Sequence, residues 1–254
     1  MIDRILSWFA PHICKGCKVV GNTLCNRCKN YILDQKWHRC VHCQTFVNDH
    51  DYALRGNLCR ECSRKLPFSK VFVVGERVDV LKRLVGDHKY FSERASAQPI
   101  AELLVATLPN DLPPGMVIVP LPTIPKHIRE RGFDHTKLIA RKLSRIRKIP
   151  INTSALRRTD NVSQHSATFQ KRRQQAEKAF LINPNLKSTS FLLIDDIYTT
   201  GATTIAAAKL LLQSGAKKVW LGIVARQTSF GNAPAPNSTS TPPHKPALNI
   251  DRVL

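Results

Sequence analysis

The chain has 254 residues, 43% of them hydrophobic, and carries 39 Lys and Arg against 18 Asp and Glu, a formal net charge of +21. That length suits one medium domain joined to a smaller one, each with a core of its own. No apolar run approaches the roughly 18 to 20 residues that cross a bilayer. The opening MIDRILSWFAPHIC mixes acid and base, so the expectation is a cytoplasmic protein that is not an integral membrane protein.

Charge is unevenly spread. Residues 1–70 carry a net +7 and residues 120–175 a net +11, whereas 71–119 are close to neutral at −1. Two basic blocks of this kind attract polyanions, with an affinity that falls as salt rises. An ordinary solvated basic surface has the same composition.

All eight cysteines fall within the first 62 residues, as four C-x-x-C pairs: Cys14/Cys17, Cys25/Cys28, Cys40/Cys43 and Cys59/Cys62. Such a turn points two thiolates at one tetrahedral centre, and two turns complete a closed four-sulfur site for structural Zn²⁺. Sequential pairing is the simplest, giving two zinc ions in a double zinc ribbon, while an interleaved pairing stays open. Disulfides fit poorly without a secretion signal, and a redox pair does not come in quadruplicate. Gly16 suits a tight knuckle, and metal stands in for a core that the few apolar residues between the pairs cannot build. The interspersed Lys15, Lys18, Arg27, Lys29, Arg39, Arg55 and Arg60 suit nucleic-acid contact or an ordinary surface equally. Trp8, Tyr31, Trp37, Phe46 and Tyr52 read as core of this module in preference to base-stacking platforms.

From residue 71 the texture changes. VFVVGERVDV predicts a strand and turn, SAQPIAELLVATL a helix, MVIVPLP a buried strand and FDHTKLIARKLSRIRK a basic amphipathic helix. FLLID is another buried strand, GATTIAAAKLLLQSG a helix closed by Gly215, and KKVWLGIVA a final strand. Short apolar runs separated by helices predict an α/β fold with a parallel sheet covered on both faces. The expected division is 1–68 as the zinc-binding domain, 69–227 as the α/β domain and 228–254 as a disordered tail rich in Pro, Ser, Thr and Asn.

In such sheets ligands sit beyond the carboxyl ends of the strands, where FLLIDDIYTTGATT places Asp195 and Asp196. The TTGATT turn runs into a helix N-terminus, whose free N–H groups and positive dipole end suit a phosphate. The two acids suit a diol or a hydrated Mg²⁺. Together they describe a phosphorylated sugar, although a strand-end Asp can also be a plain helix cap. No P-loop and no G-x-G-x-x-G is present.

LLIDDIYTTGATT resembles the phosphoribosyl pyrophosphate signature of type I phosphoribosyltransferases, and the arrangement around it resembles the ComF/GntX family of competence-related proteins. The resemblance spans residues 5–226. It is carried also by VPLPTIPKHIRERGFDH, by RRTDNVSQHSATFQKRRQQAEKAF with Gln164, Arg172 and Phe180, and by Lys89-Tyr90. It implies a type I phosphoribosyltransferase-like sheet in which Asp195 and Asp196 hold the ribose hydroxyls, directly or beside Mg²⁺. Thr199, Thr200, Gly201, Ala202 and Thr203 would cradle the 5′-phosphate. Leu121 and Pro122, followed by a basic loop with Lys126, Arg129 and Arg131, would approach the pyrophosphate, and segment 157–175 would form a lid. The chain departs from the family pattern at Asp134-His135, where Asn-Gln is usual, and at Ala167 and Gln175.

The resemblance also implies involvement in uptake and processing of transforming DNA. Single-stranded DNA and a competence helicase or other DNA-uptake proteins are the implied partners. Two functions follow: a Mg²⁺-dependent phosphoribosyltransferase, or a non-catalytic single-strand-handling protein that phosphoribosyl pyrophosphate regulates. A zinc-ribbon adaptor without ligand binding is disfavoured by the intact acid pair and TTGATT turn.

Overall fold

The computed structural model describes residues 12–90, 94–159, 179–183 and 190–227. Trp8, Gln164, Arg172, most of the expected lid and the expected tail lie outside the described residues. A short antiparallel hairpin, β1 (His12–Ile13) with β2 (Val20–Gly21), is followed by the helices α1 (Asn26–Asp34), α2 (Asp49–Arg55) and α3 (Arg60–Lys65). Next come β3 (Lys70–Glu76), α4 (Asp79–Tyr90), α5 (Ala97–Thr107), β4 (Met116–Pro120), α6 (Pro125–Arg131) and α7 (His135–Arg147). A second antiparallel pair, β5 (Leu156–Arg158) with β6 (Phe180–Ile182), precedes β7 (Ser190–Tyr198), α8 (Ala202–Gln213) and β8 (Lys218–Arg226).

Strands β3, β8, β7 and β4 form one parallel sheet in that order, with Ile118 opposite Leu192 and Leu192 opposite Trp220. The expected parallel α/β sheet is therefore present. Its strands are buried on both faces, which is why FLLI and VWLGIVA read as continuous apolar runs without alternation. Helix α7 buries Thr136, Ile139, Ala140 and Leu143, the spacing of one helical stripe, and leaves its cations outside. Helix α8 starts from Gly201 at φ 78° and is followed by Gly215 at φ 98°, the closure its sequence predicts.

One element differs in kind from the sequence reading. The basic segment after Pro122, expected as a loop, forms the seven-residue helix α6, with Pro125 in its first turn and Gly132 as a left-handed cap. Helix α4 follows directly from the turn after β3.

The cysteine-rich segment wraps the β3 end of the sheet and contributes to both of its faces. On one face Cys14, Leu24, Cys28 and Ile32 join a core with Leu84, Ile100, Ile139 and Leu192. On the other, Cys40, Val41, Val47 and Leu58 join a core with Phe191, Leu193, Ala207 and Leu211. Lys15 pairs with Asp87 at 2.9 Å and Lys29 with Glu102 at 3.1 Å, and Arg55 pairs with Asp51, so these three cations hold structure together. Tyr31, Trp37 and Tyr52 pack against the cores, as expected of core aromatics, whereas Phe46 is 69% exposed.

Leu192 touches strands on both sides and is fully buried. Leu192→Ala should cost about 2–5 kcal/mol, read as a lowered midpoint in urea unfolding. A midpoint unchanged from the parent would contradict this core.

Candidate functional site

The first turn of each cysteine cluster is a knuckle of the same design. Lys18 (φ 66°) follows Cys17 and Gln44 (φ 65°) follows Cys43, and the N–H groups of Lys18 and Gln44 each donate to the carbonyl four residues back, at Cys14 and Cys40, at 3.0 Å. The second turn of each is a helix start: Cys25 caps α1 and Cys59 caps α3, so their sulfurs sit at positive dipole ends. Gly16 is required in the first knuckle, since a Cβ there would lie 2.4 Å from Cys28 Sγ.

These turns bring Cys14, Cys17, Cys25 and Cys28 into one cluster and Cys40, Cys43, Cys59 and Cys62 into another, with the sulfurs of each within 4.8 Å of one another. The sequential pairing holds. Cys17 Sγ lies 3.6 Å from Cys25 Sγ, and Cys43 Sγ lies 3.5 Å from Cys59 Sγ. A Zn²⁺ tetrahedron with bonds of ~2.3 Å has edges of ~3.8 Å, so each cluster could hold one zinc ion. Burial works against a thiolate at Cys14, yet the backbone N–H groups of Cys25, Cys17 and Gly16 outweigh it and hold the thiol at about 6. Burial likewise opposes a thiolate at Cys43, and its contacts with Thr45 and the neighbouring cysteines hold it at about 7. Cys28 and Cys62 are pushed up by burial and by the sulfurs around them.

A cleft of about 470 Å³ opens beyond the carboxyl ends of β4 and β7. Asp195, Asp196, Thr199, Thr203 and Arg131 line it, together with Leu121 and Pro122. Of the other expected site residues, Lys126 and Arg129 sit on the outer surface of α6. Lys126 is 72% exposed and reaches Glu130 at 3.9 Å. Thr200, Gly201 and Ala202 build the turn behind the cleft wall. Lys89 and Tyr90 end α4.

Strand geometry divides the two acids, because successive side chains point to opposite faces. Asp196 points to the α7 side, where its Oδ2 lies 3.0 Å from Nε2 of His135, the first residue of α7. Its Oδ1 accepts from Ile197 N at 2.8 Å. Asp195 is half-buried beside Arg158 of β5; burial works against the Arg158 charge and the Asp195 carboxylate partly restores it. Arg158 also stacks on the Phe180 ring at 5.5 Å.

The phosphate-type turn is built on Tyr198. Gly201 approaches it so closely that a Cβ would lie 2.0 Å from the Tyr198 hydroxyl oxygen, and its φ of 78° favours glycine independently. Tyr198 Oη lies 3.1 Å from Nδ1 of His42, inside the second knuckle, and the Arg226 guanidinium stacks over the Tyr198 ring at 5.4 Å. Arg226 also donates from Nε to Val41 O at 2.6 Å and from Nη1 to Tyr198 O at 3.2 Å. Burial pushes the Tyr198 phenol up, so it stays a neutral hydroxyl. The second cysteine cluster thus backs the turn through one layer of side chains.

Arg77, Thr123, His127, Arg158 and Gln227 also line the cleft and were not singled out from sequence. Thr123 and His127 fall within VPLPTIPKHIRERGFDH and Arg158 within RRTDNVSQHSATFQKRRQQAEKAF, whereas Arg77 and Gln227 are marked only by following β3 and β8 at the same sheet edge.

A parallel α/β protein with two four-cysteine clusters and an acid- and cation-lined cleft at the strand ends is the class these features define. No family model matches the chain. It is 25% identical over 228 residues to "Competence protein F" of Haemophilus influenzae, covering 84% of this chain and 95% of that protein. It is 28% identical over 177 residues to "DNA utilization protein YhgH" of Escherichia coli K12, covering 66% and 77% of the two chains. With "Competence protein ComFC" of Bacillus subtilis it shares 37% identity over 100 residues, 39% of each chain. At these modest identities the relatives, named for competence and DNA utilization, support a protein of the ComF type.

Metal analysis of the purified protein should give about two zinc ions per chain, with Cys14→Ser and Cys40→Ser each losing one; a single ion or none overturns the two-centre assignment. Gly201→Ala should lower the melting temperature by several degrees through its clash with Tyr198, at a cost of about 1–3 kcal/mol. Unchanged melting would show that the turn is not held as described.

Proposed function

We propose that the cleft binds phosphoribosyl pyrophosphate with Mg²⁺, and that the chain acts in DNA uptake as its competence-named relatives suggest. The observation that carries this reading is convergence. A strand-end acid pair, a threonine turn entering a helix N-terminus and Arg131 face one cleft. In this reading Asp195 and Asp196 take the ribose hydroxyls or a hydrated Mg²⁺. Thr199 to Thr203 take the 5′-phosphate through the N–H groups that open α8 and have no partner within the helix. Arg131 faces the pyrophosphate, with the exposed Lys126 and Arg129 adding a positive field.

Residues 1–68 act as the metal-stabilised unit and 69–227 as the ligand-binding unit. Transfer would break the bond between the anomeric carbon and pyrophosphate while a bond to an acceptor nucleophile forms. The charge on the leaving group is neutralised by Mg²⁺ when bound and by Arg131. A second reading, a non-catalytic protein that handles single-stranded DNA and is stabilised by the phosphosugar, is favoured by the exposed Arg141, Arg145 and Lys148 on and after α7. A competence helicase is the partner class that suits either reading.

Saturating Mg²⁺ and phosphoribosyl pyrophosphate should raise the melting temperature by about 5 to 10 °C at a hundredfold excess over Kd. Asp195→Asn combined with Asp196→Asn should abolish that shift, and a shift that persists in the double variant would sink the site assignment. Pyrophosphate release with candidate acceptors, run beside single-strand DNA binding across a salt series, separates the two readings. Release supports transfer, whereas salt-sensitive DNA binding without release supports the non-catalytic role.

A further inference from the structure

We propose that His135 is a positioning residue that joins Arg131 to Asp196 and so fixes the cationic and acidic sides of the cleft relative to each other. The proposal rests on the phosphoribosyl pyrophosphate reading of the same cleft. His135 Nε2 lies 3.0 Å from Asp196 Oδ2, and its Nδ1 lies 3.2 Å from Arg131 Nη1. A guanidinium can only donate, so Nδ1 is the acceptor and carries no hydrogen. The single hydrogen of the neutral ring is then on Nε2, the nitrogen that lies 3.0 Å from the carboxylate oxygen. The chain Arg131 to His135 to Asp196 therefore has one direction, cation to neutral bridge to anion.

Burial makes this arrangement consequential. His135 is 4% exposed and Asp196 3%, so water cannot replace the contact between them. The ring is fixed by its surroundings as well. Asp134 caps α7 by accepting from Lys137 N at 3.1 Å, and the same Oδ1 accepts from Thr123 Oγ1 at 3.0 Å, tying the helix start to the segment after β4. His88 Nε2 lies 3.4 Å from His135 O, with the two rings 6.4 Å apart, and closes the far side. Arg131 ends the short helix α6 and has a long, flexible side chain. An acceptor at Nδ1 holds it over the cleft, and a donor at Nε2 holds the Asp196 carboxylate. A site whose charged groups are set before the ligand arrives loses less freedom on binding it.

The bridge has a strict chemical requirement: one donor and one acceptor on opposite sides of a short, flat group. Histidine meets it with its two ring nitrogens, and glutamine meets it with its amide NH₂ and carbonyl. Leucine has the bulk and neither function. Glutamate only accepts and lysine only donates.

Isothermal titration of phosphoribosyl pyrophosphate with Mg²⁺ into the full chain tests this with His135→Gln, His135→Leu and Arg131→Met. Glutamine should restore binding to within about threefold of the parent, and leucine should weaken it about tenfold or more. Adding Arg131→Met to His135→Leu should cost clearly less than Arg131→Met costs in the parent, because the part of its effect that runs through the bridge is already gone. Equal behaviour of the glutamine and leucine variants, or losses that multiply, overturns the proposal. If the leucine variant does not fold, imidazole ¹⁵N resonances of the parent decide. A pyrrole-type Nε2 and a pyridine-type Nδ1 that shifts in Arg131→Met support the bridge, and the opposite tautomer refutes it. If the parent fails to bind phosphoribosyl pyrophosphate while its ring nitrogens behave as stated, the ligand assignment falls and the bridge stands.

Discussion

Pairing of β7 on both of its edges is the constraint from which the site follows. With β4 on one side and β8 on the other, β7 has no freedom of register, and its last residues emerge at a fixed place and with fixed facing. Asp196 must turn to α7, Asp195 to the opposite side, and the chain must reverse at once into α8. The turn is possible because Gly201 takes a left-handed conformation against the Tyr198 ring. Cleft, acid pair and helix N-terminus are thus consequences of one strand ending where it does.

The four-cysteine clusters belong to the same mechanical unit. Their buried cysteines pack into the cores on both faces of the sheet, and the second knuckle reaches the site through His42, Val41, Arg226 and Tyr198. Side chains around that knuckle pack and hydrogen-bond directly beneath the turn that enters α8.

Much of this was legible in the sequence because it depends on local chemistry. Continuous apolar runs specify strands buried on both faces, paired C-x-x-C turns specify two tetrahedral centres, and an acid pair followed by TTGATT specifies a strand end entering a helix. What was not legible depends on three-dimensional facing. Adjacent Asp195 and Asp196 read as one unit, but strand alternation gives them different partners, Arg158 and His135. His135 looked like a departure from a pattern, and only the meeting of α7 with β7 shows what it touches. The segment after Pro122 looked like a basic loop because its seven helical residues are too few to show a period. Lys126 and Arg129 carry the right charge, yet the helix turns them outward and brings Arg131 to the cleft.

The central claim is that the end of β7 and the start of α8 form the phosphosugar site. Hydrogen exchange of the full chain with and without Mg²⁺ and phosphoribosyl pyrophosphate tests it most directly, since each amide reports its own protection. The account predicts that ligand slows exchange across residues 196–205 and at the α6–α7 junction. Unchanged exchange there, with protection confined to another surface, would contradict it.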